Sequence, residues 1–228
     1  MSVSNEFHYK AKVTRHNGWQ NYTTARFGIS VGMPYHEGDK LRAALDWAIP
    51  RFKKIEVRVS DTLQRYNMPG NPDDNKDLAR AAGDAWIERN RSTLNRVPHL
   101  FLFRWDDILE DLRYPGYYQE VEKRILKDTD FNEAIRDDAE EYSRRTHREI
   151  SICISFLKEE LAAFSLLQDK SPAAEVYPGS FLKSRMLLRP DFNMTRIDFL
   201  RVRIPPPLQL PLPTPSHTIR QDPINRCK

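Results

Sequence analysis

Residues 25–60 hold a strand, a helix and a second strand at lengths that leave one compact solution, a βαβ unit. ARFGISVG (25–32) is a short apolar run that ends in a glycine-flanked turn. From Gly38 to Trp47 and just beyond, Leu41, Ala44, Leu45 and Ala48 recur at helical spacing, and Pro50 closes the helix because proline cannot continue one. IEVRVS (55–60) alternates cleanly, as a strand does. Strand, helix and strand in this order pair in parallel through a right-handed crossover. Ligand sites on such sheets lie beyond the carboxyl ends of the strands. Ser30 falls at one of those ends.

The rest of the chain is compatible with one α/β domain. FHYKAKVT (7–14) reads as a strand and RHNGWQNYTT as a loop. MPGNPDDN is a turn-rich break, followed by a long helix over residues 75–96 and a buried strand, HLFLFRW, over 99–105. Residues 117–127 and 130–148 are charged and helical in pattern. EISICISFLKEELAAFSLL (149–167) is the most apolar helix and is long enough to cross the core. A short loop with Ser171 and Pro172 follows, and IDFLRVRI (197–204) is the last strand. Seven of the 16 prolines lie in the final 24 residues. The expected organisation is therefore a domain over 1–204 and a mobile, partly polyproline tail over 205–228. There is no internal repeat and no sign of a second domain.

Composition narrows the function class. At 228 residues, 39% hydrophobic and 30% charged, the chain reads as a soluble globular protein. No apolar run approaches a membrane span and MSVSNEFHYK lacks the core of a signal peptide, so the expected location is the cytoplasm. Two cysteines, Cys153 in an apolar segment and Cys227 next to the end, provide neither a disulfide framework nor a zinc site. A net charge of +4 is compatible with an RNA partner without requiring one.

The chemistry-bearing residues are few. Ser30 sits in Gly28-Ile29-Ser30-Val31-Gly32, which matches the nucleophile-elbow pattern Gly-X-Ser-X-Gly. Small neighbours admit a carbonyl, and turn N–H groups can face an oxyanion. A hydrolase triad also needs a downstream histidine, and only His147 in a charged helix and His217 in the tail follow. Glu160 stands on the apolar helix with Phe156 four residues earlier on the same face. A carboxylate there either pairs with a cation or has a shifted pKa; the cation is Lys158, Arg185 or another basic side chain at the helix edge, or the ammonium of a substrate. Glu159 and Glu160 are adjacent and point to different faces, which leaves room for one of the two to be simply solvated. Tyr177-Pro178-Gly179 places a phenol at a rigid turn, where it either packs or carries a proton.

FGISVGMPYHEGDKLRAALDWA, IEVRVSDTLQRYN, RWDDIL, FLKEELAAF and VYPGS resemble, in this order, the blocks of the cyclodipeptide synthases. The resemblance runs from about Phe27 to about Ser180, and Ser30, Tyr35, His36, Gly38, Lys40 and Asp61 to Asn67 agree in type and spacing. It places the catalytic serine at Ser30, its preceding glycine at Gly28, the essential glutamate at Glu160 and the cyclisation tyrosine at Tyr177. Met33 and Pro178 resemble the subgroup with a tyrosine–proline pair. One departure stands out: the family's tyrosine four residues before the glutamate is Phe156 here.

The resemblance implies a single Rossmann-like α/β domain with a mainly parallel sheet flanked by helices, similar to class I aminoacyl-tRNA synthetase catalytic domains. It implies two aminoacyl-tRNA substrates, a ping-pong route through an aminoacyl-enzyme on Ser30, and a cyclic dipeptide product, without metal or cofactor and with no protein partner expected. His36-Glu37-Gly38 and Lys183-Ser184-Arg185 only faintly echo the synthetase ATP motifs, which fits substrates that arrive already activated. Met33 and the 99–105 strand are the expected pocket walls, with Phe156 and Pro178 beside the substrate. The expected tRNA surface is the helix over 75–96, with Lys76, Arg80, Arg89, Arg91 and Arg96 interrupted by Asp77, Asp84 and Glu88. Two other readings stay open, a serine acyl hydrolase and a non-catalytic tRNA-binding protein.

Overall fold

A computed structural model of the chain describes residues 7–15, 18–179, 182–190 and 194–203. The expected tail over 205–228, with His217 and Cys227, lies outside the described residues, as does Ser180. Six strands form one sheet: β1 (Phe7–Arg15), β2 (Thr24–Ile29), β3 (Lys54–Val59), β4 (Leu100–Arg104), β5 (Ala174–Tyr177) and β6 (Met194–Arg203). Among the described residues seven α-helices accompany them: α1 (Gly38–Ala48), α2 (Lys76–Leu94), α3 (Trp105–Leu109), α4 (Tyr114–Lys127), α5 (Thr129–Thr146), α6 (Ile150–Lys170) and α7 (Lys183–Leu188).

The sheet order is β1-β6-β5-β2-β3-β4. The five strands from β6 to β4 run parallel, and β1 closes the edge antiparallel to β6. This is the mainly parallel α/β domain expected from the βαβ unit at 25–60. The chain runs outward from β2 through β3 to β4, then returns through α3 to α6 and adds β5 on the other side of β2. The order therefore reverses between β2 and β5, the topological switch point at which open parallel sheets bind ligands.

Several boundaries differ from the sequence reading for local reasons. Helix α4 starts at Tyr114 rather than 117, because Pro115 sits in the first turn, where no backbone N–H is needed. A single residue, Asp128, separates α4 from α5; its carboxylate accepts the Phe131 N–H at 3.0 Å and caps the new helix. β5 corrects the reading of Tyr177 as part of a turn, since Tyr177 is the last residue of an inner strand. α7 was also not anticipated.

The two faces of the central strands differ sharply. Ala25, Phe27, Ile29, Ile55, Val57, Val59, Ala174 and Val176 form one face and pack with Leu41, Ala44 and Leu45 of α1 and Trp86 of α2. The alternate positions carry Arg26, Glu56, Arg58 and Glu175, each buried. Inner parallel strands are normally apolar on both sides, so this charged face is an exception. A second apolar core joins α4, α5 and α6 around Phe131, Ile135, Leu157 and Leu161. Leu157 and Leu161 are fully buried, and truncating either to alanine costs about 2–5 kcal/mol.

Candidate active site

Ser30 follows the last residue of β2, and Tyr177 ends β5, so both stand at the switch point. Their hydroxyls are 3.1 Å apart. The Tyr35 hydroxyl lies 3.3 Å behind that of Tyr177, giving a chain of three hydroxyls. Burial pushes the Tyr35 phenol well above its usual range, with the neighbouring Tyr177 adding to the shift, so Tyr35 stays protonated. Gly179 lies so close under the Tyr177 ring that a Cβ there would meet Cε1 at 2.2 Å. Only glycine lets the chain pass beneath the phenol without displacing it.

His36 holds the nucleophile's backbone rather than its hydroxyl. The Ser30 N–H donates to His36 Nδ1 at 2.8 Å. Burial drops the imidazole to a pKa of about 3, so it is neutral and Nδ1 is an acceptor. The Trp86 Nε1–H donates to the His36 carbonyl at 2.9 Å, and Asn90 bonds Glu37 and Gly38. The His36-Glu37-Gly38 stretch is thus committed to packing against α2. Lys183 and Ser184 likewise donate their N–H groups to the Asp138 carboxylate at 3.2 and 2.8 Å. His147 ends α5 in a left-handed conformation, and no histidine bonds the Ser30 hydroxyl among the described residues.

The serine opens into a cavity of about 610 Å³ that is also lined by Gly28, Met33, Phe156, Glu160 and Tyr177. Six of the seven expected catalytic and substrate-binding positions therefore converge. Pro178 follows β5 and is not part of the lining, and neither is any residue of the 99–105 strand expected as a wall. Glu160 pairs with Arg185 at 2.9 Å, one of the two cations considered from sequence, whereas Lys158 turns outward to Glu122. The neighbouring glutamate is not solvated. Glu159 is buried and takes Arg65 Nη1 at 2.9 Å, Trp105 Nε1 at 2.8 Å and the Tyr66 hydroxyl at 3.0 Å. It ties α6 to the turn Thr62–Asn67 and has no lone pair left for a substrate.

Tyr142 was missed from sequence. It rises from α5, stacks on Phe156 with centroids 4.7 Å apart, and donates to Asn67 Oδ1 at 2.7 Å. A phenol hydroxyl thus stands beside the ring of Phe156, where the sequence lacks one. Nothing in the charged pattern of α5 singles out this tyrosine.

The basic residues expected to meet RNA are on α2 or just past it, about half exposed, and paired with acids. Arg80 bonds Asp106 at 2.6 Å with Lys76 at 4.0 Å from it, Arg89 bonds Glu37 at 3.0 Å, Arg96 bonds Asp46 at 3.3 Å and Arg91 bonds Glu88. Of the three acids expected to interrupt this face only Glu88 is among these partners; Asp84 pairs with Arg104 instead. Among the described residues no helix is long and apolar enough to cross a membrane, and no group of His, Cys, Asp and Glu gathers to hold a metal.

No protein-family model and no curated protein matches the sequence. Solved structures do. A cyclodipeptide synthase from Fluoribacter dumoffii superposes with a TM-score of 0.78 at 22% identity, covering 86% of this chain and 100% of that one. The chain has the fold of the cyclodipeptide synthases. A second such enzyme, from Candidatus Glomeribacter gigasporarum and bound to Phe-tRNAPhe, matches at TM-score 0.60 and 17% identity over 88% of this chain and 93% of that one. A tyrosyl-tRNA synthetase from Aeropyrum pernix matches at 0.51 and 16% identity, over 77% of this chain and 52% of the synthetase. The cyclodipeptide-synthase fold is thus built on the class I synthetase plan, as the resemblance implied.

Proposed function

We propose that this chain is a tRNA-dependent cyclodipeptide synthase of the tyrosine–proline subgroup, working in the cytoplasm on two aminoacyl-tRNAs. One observation carries the reading: the Ser30 hydroxyl, 3.1 Å from that of Tyr177, opens at the sheet's switch point into a cavity that Glu160 also lines. The shared fold supports it.

The Ser30 oxygen attacks the ester carbonyl of the first aminoacyl-tRNA. A new ester bond forms, the bond to the terminal ribose breaks, and the serine proton ends on the departing ribose oxygen. The Ser30 N–H is engaged by His36, which leaves the Val31 and Gly32 amides of the same turn to face the oxyanion. Glu160 exchanges Arg185 for the α-ammonium of the bound residue, and the Tyr142 hydroxyl accepts a second N–H from it. Glu160 takes one proton from the ammonium; the freed amine attacks the ester carbonyl of the second aminoacyl-tRNA, an amide bond forms, the bond to the second ribose breaks, and a second amine proton ends on that departing ribose oxygen. The new terminal amine then closes onto the serine ester, with Tyr177 passing its proton to Ser30 Oγ and Tyr35 supporting the phenol. Both esters are activated, so positioning supplies most of the acceleration. Phosphate contacts come from Lys76, Arg80, Arg89, Arg91 and Arg96, each trading its carboxylate partner for a phosphate.

The test compares small molecules released by cells expressing the chain with those from cells expressing Ser30→Ala. A cyclic dipeptide made only with the intact serine is the expected result. Cyclic dipeptide from the variant, or labelled aminoacyl-protein trapped in it, overturns the scheme. tRNA binding with no product and no response to Ser30→Ala makes the chain a binding protein instead.

A further inference from the structure

The cavity floor holds an arginine that the reaction above does not use. Arg58 is the register partner of Gly28 across β2 and β3, two residues before the nucleophile, and lines the same cavity. Its side chain is 3% exposed. Its Nε and Nη1 have no hydrogen-bond partner; Glu175 Oε2 lies 3.6 Å from Nη1, and Glu160 lines the same cavity. A Cβ on Gly28 would meet Arg58 Nη2 at 2.6 Å, so the absent side chain at 28 is what lets the guanidinium sit beneath the serine strand. Its plane lies over Phe164 of α6, 4.2 Å from the centroid, which fixes it without satisfying its donors.

The surrounding charges define what is missing. Arg26 is fully engaged, with Glu56 at 2.7 Å, Glu175 at 2.8 Å and the Ser171 carbonyl at 2.6 Å. Arg185 holds Glu160. Three buried arginines (26, 58 and 185) thus face three buried or half-buried glutamates (56, 160 and 175), and Lys54 reaches Glu56 from the solvent side. The cavity's other charges lie on α5, where Asp138 is committed to the α7 amides and Glu141 and Arg145 are exposed. A substrate α-ammonium placed on Glu160 takes up one of these carboxylates. A neutral apolar side chain beside it would bury the Arg58 donors with nothing to accept from them, which carries the cost of unmade hydrogen bonds.

We propose that the first aminoacyl group taken by this chain carries an acidic side chain, glutamyl or aspartyl, whose carboxylate docks on Arg58 beneath Gly28. The carboxylate supplies acceptors for Nε and Nη1 in the bidentate geometry that guanidinium favours. The inference rests on the proposed synthase activity and names its substrate class.

The experiment measures label transfer from individually charged tRNAs to the intact purified protein, together with the identity of the cyclic product. Acidic aminoacyl-tRNAs are expected to acylate Ser30 faster than leucyl- or glutaminyl-tRNA by on the order of 100-fold or more, since a site built around buried donors rejects analogues that cannot accept from them. Arg58→Met should lose that preference by a similar factor, and Arg58→Lys should keep part of it. The wild-type product itself must contain Glu or Asp, a readout that needs no variant to fold. Acylation by apolar or amide residues alone overturns the acidic assignment while the synthase reading stands. Acylation by none of the charged tRNAs overturns both.

Discussion

The Ser30 and Tyr177 hydroxyls, 147 residues apart in sequence, lie 3.1 Å apart at the ends of adjacent parallel strands. Among the described residues no histidine bonds the Ser30 hydroxyl, and the phenol is a proton-bearing group within reach of it. Tyr177→Phe keeps the ring on Gly179 and removes only the hydroxyl. It should leave acylation of Ser30 measurable while cyclic product falls by on the order of 10²–10⁴-fold, the range for losing a positioned acid–base group. Intact-mass analysis should then show acylated protein accumulating. Undiminished product would remove Tyr177 from the mechanism.

His36 gives a pH signature of stability. Its folded pKa is depressed to about 3 by burial, whereas an unfolded histidine titrates near ~6.5. The unfolded state therefore binds a proton that the folded state refuses, and stability present above pH ~6.5 is lost as pH falls toward 3. Urea unfolding between pH 7 and 5, above the carboxylate range, should show ΔG falling by up to about 1.4 kcal/mol per pH unit from this group. His36→Gln should flatten that slope. An equal slope in the variant would sink the assignment.

Two adjacent glutamates should fail in different ways. Glu159→Ala leaves Arg65 buried without its carboxylate and should cost about 3–5 kcal/mol, seen as a melting temperature lowered by roughly 6–20 °C. Glu160→Gln should cost less stability and lose acylation or transfer instead. A fully stable Glu159→Ala protein would contradict the role given to that residue.

Tyr142→Phe tests the hydroxyl beside Phe156. Loss of one hydrogen bond to a bound ammonium costs about 1.5–3 kcal/mol. KM for the aminoacyl-tRNA should rise about 10–150-fold with kcat little changed. A fall in kcat at constant KM would instead place Tyr142 in the chemical step.

Much of this was legible in the sequence because periodicity reports local burial. The βαβ unit, α2, β4 and α6 all follow from apolar spacing, and Ser30 from its strand end. β5 was not legible: four residues between a helix and a Pro-Gly pair carry too little pattern, and what makes them a strand is the pairing with β2 and β6 on either side. The alternation of IEVRVS does not show where its polar side chains go; Glu56 and Arg58 are buried, beside Arg26 of β2 and Glu175 of β5. Glu159 and Glu160 could not be told apart because the arginine that claims Glu159 is 94 residues away. Tyr142 was invisible for the same reason, since its partners Asn67 and Phe156 lie on other elements.

The charged face of β2, β3 and β5 separates two jobs by parity along each strand. One set of alternating positions, from Ala25 to Val59 and Val176, packs the apolar core; the other carries the buried charges Arg26, Glu56, Arg58 and Glu175, of which Arg58 and Glu175 line the cavity. Substitutions at those two positions change the cavity wall without reshaping the first set, because the backbone between them is fixed by the sheet ladder. Exchanging a few charges on one side of three strands therefore remodels the cavity and leaves the apolar packing on the other side as it is.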